Sequence, residues 1–136
     1  MLAAVIAVTL GMANLPTVQS PKPAYVVTVT LQCGTGTTSA TGGVFLYKTD
    51  KSGLTTQIGE VWATCDTPTA TSQPMPKPDS WQTLLYINDP TTGNSVCENL
   101  AQSASPLATY PLDFILDCGR MNGWVYHARL IISATY

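Results

Sequence analysis

Hydrophobic and polar positions alternate along much of this chain with a period of two. That spacing sends successive side chains to opposite faces of a β-strand. Tyr25–Cys33 (YVVTVTLQC) shows it most cleanly. Gly43–Lys48 (GVFLYK) follows a Gly/Thr/Ser loop, and Leu54–Cys65 (LTTQIGEVWATC) follows the turn signal Asp50-Lys51-Ser52-Gly53. Trp81–Asn88, Tyr110–Cys118 and Trp124–Tyr136 bring the total to about six body strands, separated by turn residues such as Asp89-Pro90 and Asn122-Gly123. Pro68, Pro74, Pro76 and Pro78 speak against regular structure over 67–79. Residues 94–107 show no clear pattern; Cys97–Ser103 (CENLAQS) carries Glu, Leu, Ala and Gln, which favour helix, and is compatible with a short helical turn. With no convincing amphipathic helix, the pattern predicts an all-β sandwich or barrel.

The leading segment alternates too. Leu2, Ala4, Ile6, Val8, Leu10 and Met12 fall on one face of a strand, and the mostly smaller Ala3, Val5, Ala7, Thr9, Gly11 and Ala13 fall on the other. A secretory signal peptide is the competing reading, with Gly11-x-Ala13 as a loose cleavage motif. It lacks the charged leader, since no Lys or Arg precedes Lys22, and its apolar run is short. The run also falls short of the roughly 20 residues that cross a bilayer, so no membrane span is expected. The alternation favours a retained strand, which divides the chain into a strand over 1–13, a linker over 14–23 (NLPTVQSPKP) and one β-domain over 24–136.

Composition narrows the function. Of 136 residues, 45% are hydrophobic and 10% charged, so the chain can build a core and does not read as disordered. Lys22, Lys48, Lys51, Lys77, Arg120 and Arg129 are scattered through a chain of net charge −2, which argues against a nucleic-acid partner. A surface of Thr, Ser, Gly, Asn and Gln suits a protein that sits in an assembly or outside a cell.

Cys33, Cys65, Cys97 and Cys118 are too widely spaced for a zinc site built from close pairs, and no metal or other cofactor is expected. Two disulfides in an oxidising, extracellular setting are the expectation. Of the three connectivities, nearest-neighbour closure, Cys33–Cys65 with Cys97–Cys118, is the simplest. Catalytic motifs are not found. Gly34-Thr35-Gly36 lacks the strand–helix context of a dinucleotide site. His127 stands in a strand, and Asp113 and Asp117 read as a solvated face. Trp62, Trp81 and Trp124 read as core or interface residues, with sugar stacking the rival use. The chain is therefore not expected to be an enzyme.

This layout resembles the donor-strand-exchange pilins of the chaperone–usher type. The features that carry the resemblance are the alternating segment 2–12, the cysteine that ends the first body strand, and Gly123 in a turn before a long last strand. In the family the glycine stands fourteen residues from the end and a tyrosine is penultimate; here position 135 is Thr135 and the tyrosine is terminal Tyr136. The second cysteine pair also departs from the family pattern.

The resemblance implies an immunoglobulin-like, incomplete β-sandwich, completed by an N-terminal donor strand from a neighbouring subunit. It makes Leu2, Ala4, Ile6, Val8, Leu10 and Met12 the donor residues. It makes Trp124, Tyr126, Leu130, Ile132 and Tyr136 the strand lining the acceptor groove. It supports the Cys33–Cys65 bridge and implies identical subunits in a helical homopolymer on the cell surface, with an assembly chaperone and usher as further partners. Burying five apolar donor side chains in such a groove stabilises the contact by on the order of 7–15 kcal/mol before ordering costs. A lectin-like secreted β-sandwich is the alternative function.

Overall fold

The computed structural model describes residues 24–104, 111–121 and 123–135. The donor-strand segment 2–12 and Tyr136 lie outside the described residues. Within them the chain forms eight strands and no helix: β1 (Val26–Cys33), β2 (Ala40–Thr49), β3 (Thr55–Thr64), β4 (Thr69–Thr71), β5 (Ser80–Asn88), β6 (Ser95–Ser103), β7 (Leu112–Met121) and β8 (Trp124–Thr135). They make two four-stranded antiparallel sheets, β4-β1-β8-β7 and β3-β2-β5-β6. This is a β-sandwich.

Period-two alternation decides what each strand buries. In β1, Val27, Val29 and Leu31 are sealed in the core while Val26, Thr28 and Thr30 face outward. Val44 and Leu46 of β2, Leu85 and Ile87 of β5, and Tyr126, Ala128, Leu130 and Ile132 of β8 meet them from both sheets. Each large aliphatic side chain buried this way contributes roughly 1.5–3 kcal/mol. Gly53, at φ +90°, makes the β2–β3 turn, where the Asp50 carboxylate accepts hydrogen bonds from the backbone N–H groups of Ser52 and Leu54.

Two expectations are corrected. Cys97–Ser103 forms no helical turn but belongs to strand β6, paired with β5 from Trp81↔Ser103 to Asn88↔Ser95. Eight cross-strand pairs outweigh a weak helix propensity. The proline-rich stretch is not wholly irregular either. Thr69–Thr71 pairs with β1, and its prolines flank that short edge strand rather than interrupting it. The rest of the stretch is pinned by reciprocal backbone hydrogen bonds between Tyr25 and Met75 and by Asp79, whose carboxylate accepts from the Thr49 N–H and the Lys48 ammonium.

A buried hydroxyl fixes one end of the sandwich. Thr37 is 6% exposed; its Oγ1 donates to the Val125 carbonyl at 2.6 Å and accepts from the His127 N–H at 2.9 Å. Thr37→Val keeps the shape and leaves both backbone groups unpaired. It is expected to lower unfolding free energy by about 1–3 kcal/mol, read from urea denaturation. An unchanged midpoint would show that the hydroxyl carries no weight there.

Candidate binding surface

Both expected disulfides are formed, and each ties one sheet to the other. Cys33 at the end of β1 joins Cys65 just after β3, with Cα atoms 5.8 Å apart. Cys97 of β6 joins Cys118 of β7 at 6.5 Å. The bridges sit on opposite flanks of the sandwich, and such bonds suit an oxidising environment.

Trp124, Tyr126, Leu130 and Ile132, which the resemblance assigns to the acceptor groove, stand on β8. β8 is an interior strand, paired with β1 from Val26↔Thr135 to Cys33↔Ala128 and with β7 from Leu112↔Ile132 to Met121↔Trp124. No vacant groove runs beside it among the described residues. Tyr126, Leu130 and Ile132 are core residues at 0–1% exposure, and Trp124 is partly buried. Sequence periodicity identifies their buried face but not the strands on either side. Burial raises the pKa of the Tyr126 hydroxyl, and the negative charge of Asp89 adds to the effect.

The remaining candidates do not converge. Asp113 forms a forked ion pair with Arg129 on the outer face of the first sheet, its Oδ1 taking the Arg129 Nε–H at 2.9 Å. The hydrogen bond from that guanidinium holds the Asp113 carboxyl below its ordinary pKa. Asp117 stands 3.5 Å from His127 on the same face. Both pairs are about half open to solvent, as a solvated face should be. Among the described residues, no group of three metal-binding side chains occurs, and no helix is long and apolar enough to cross a membrane.

The outer face of the second sheet is the unusual surface. Antiparallel sandwiches normally turn polar side chains outward. Here strand register sets Trp62, Gly43, Leu84 and Leu100 in one row across β3, β2, β5 and β6. Phe45 and Tyr86 stand in the rows on either side, Tyr47 lies one row beyond Phe45, and Leu100 is 55% exposed. The Trp62 indole lies against the bare Cα of Gly43: a Cβ there would come within 2.5 Å of the ring. Glu60 holds it from the side, accepting from the indole Nε1–H at 2.6 Å and from Gln57 at 3.0 Å. Phe45 meets the indole edge-on, with ring centroids 5.2 Å apart. Trp62 is thereby a fixed platform.

Below this row lies an open hollow of about 460 Å³ between the ends of β2, β5 and β6. Tyr47, Ser80, Trp81, Gln82 and Gln102 line it, and the Tyr47 hydroxyl donates to the Gln82 Oε1 at 3.4 Å. Trp81 also packs edge-on against Phe114. Sequence reasoning named the tryptophans but missed Phe45, Tyr47, Leu84 and Leu100. The signal was there: Gly43–Lys48 is apolar at both parities, so one apolar face had to point away from the core.

Comparison with protein-family models, curated proteins and solved structures finds no match.

Proposed function

We propose that this chain is a non-enzymatic structural subunit of an extracellular filament, in which the alternating apolar segment 2–12 of one copy adds as a strand to the sandwich of the next. The observation that carries the reading is the state of the sheet edges. With β8 paired on both sides, strand addition falls on an edge, and β6 is the edge that invites it. Its pairing to β5 is regular from Trp81↔Ser103 to Ile87↔Cys97, with the register shift confined to its start. Glu98 is its single charge, and Leu100 is exposed at its centre. The other edges are protected: β4 has three residues, β7 carries Asp113, Asp117 and Arg120 and an irregularity at Asp117/Gly119, and the register of β3 shifts opposite Leu46/Tyr47. Long, regular, weakly charged edges are the ones that recruit another strand.

Eleven residues of donor span roughly 36 Å at about 3.3 Å per residue, longer than β6 needs. An edge strand buries its side chains on one flank only, so the link is weaker than groove insertion and dissociates in mild denaturant. Filaments are expected by negative-stain microscopy of the purified, disulfide-intact chain. Ile6→Asp, Val8→Asp and, on the acceptor, Leu100→Lys should each abolish them while circular dichroism of the body stays unchanged. Filaments that persist in all three variants would refute the reading. An assembly chaperone and usher belong to this proposal as partners for the unpaired segment before polymerisation.

A further inference from the structure

We propose that the hollow at the foot of the second sheet, together with the Phe45–Trp62 platform above it, is a binding site for a neutral oligosaccharide. The inference does not rest on the filament reading and uses a different surface chemistry.

The lining decides the ligand class. Tyr47, Thr55, Ser80, Gln82 and Gln102 border the hollow with hydroxyl and carboxamide side chains, and no carboxylate, ammonium or guanidinium lines it. A phosphate, carboxylate or ammonium ligand would be desolvated there without a counter-charge, which is costly. A ring bearing several hydroxyls is the complement. Each sugar hydroxyl donates and accepts, each protein hydroxyl does the same, and each carboxamide offers two donors and an acceptor. The Tyr47 hydroxyl and the Gln82 Oε1 lie 3.4 Å apart, so a hydroxyl and a carboxamide already stand side by side before a ligand arrives. About 460 Å³ lies within the range of small-molecule sites.

The apolar half of a pyranose also finds its match. Its C–H face stacks on aromatic rings, and the sheet supplies them in sequence. Tyr47 borders the hollow, and Phe45 lies two residues further along the same face of β2, about 7 Å on. Trp62 follows, laid flat against Gly43 and tethered by Glu60. A ligand of several rings placed in the hollow extends onto this platform, so affinity should rise with chain length. The indole lies on an outward face of the sheet, over a glycine in mid-strand. A stacking role accounts for both.

The test uses the folded, disulfide-intact full chain, titrated with neutral hexasaccharides of glucose, mannose, xylose and N-acetylglucosamine, and with heparin as the anionic control. Intrinsic tryptophan fluorescence and calorimetry report binding. At least one neutral hexasaccharide should bind more tightly than its disaccharide, and heparin should not. Gln102→Ala, at an exposed position, should weaken the hexasaccharide about three- to tenfold. Trp62→Phe should reduce the hexasaccharide's advantage while sparing the disaccharide. Absence of binding by every neutral hexasaccharide, preference for heparin, or affinity untouched by both substitutions would each overturn the proposal. Circular dichroism of the variants checks that their fold is retained.

Discussion

Replacing Cys33 and Cys65 by alanine is expected to lower the unfolding free energy by about 3–4 kcal/mol, and the Cys97/Cys118 pair by a similar amount. The loops closed span 32 and 21 residues in sequence, and loop entropy depends only logarithmically on that length. The two loops occupy separate stretches of the chain, so the effects should nearly add. Their sum is comparable with the whole stability of a domain this size, 5–15 kcal/mol. The quadruple variant should therefore be largely unfolded, and the wild type should lose its cooperative transition when reduced. Urea titrations with and without reductant measure this. Equal midpoints for oxidised and reduced protein would mean that hydrophobic burial alone holds the two sheets together.

Gly43→Ala is expected to destabilise by about 3 kcal/mol or more, while Gly42→Ala costs about 1 kcal/mol. These residues are neighbours on β2 that face opposite ways. A Cβ at Gly43 would lie 2.4 Å from the Val61 carbonyl oxygen and 2.5 Å from the Trp62 ring, so strand β3 itself must move. At Gly42 the nearest atoms are methyl ends of Leu130 at 2.8 Å and Leu85 at 3.2 Å, which can shift by rotation. Thermal melts of the two variants decide the contrast. Equal losses would show that the Trp62 seat is no tighter than the core beneath Gly42. Gly43→Ala should also disturb Trp62 fluorescence, linking this stability test to the proposed platform.

The two strands with opposite fates under sequence reading show where local information ends. Val26–Cys33 has the alternation of its burial written directly in its residues, and the structure follows it position by position. Cys97–Ser103 is open to a helical turn because Glu98, Leu100, Ala101 and Gln102 favour helix, yet it is part of a strand because β5 pairs with it from Trp81↔Ser103 to Ile87↔Cys97. Propensity is a local quantity of a few tenths of a kcal/mol per residue, and a partner strand overrides it.

The sequence by itself determined the all-β class, the face that β1 buries, the turns at Gly53 and Gly123, and a disulfide pairing that nearest-neighbour closure anticipated. Only the tertiary structure decided which strands lie side by side. It placed the terminal strand inside a sheet, left β6 at an edge, and gathered Tyr47, Gln82 and Gln102 from three strands around one hollow. The reason is physical: a period of two in a strand tells each side chain which face it belongs to. Neighbours are set by pairings between segments tens of residues apart, and no local pattern encodes those.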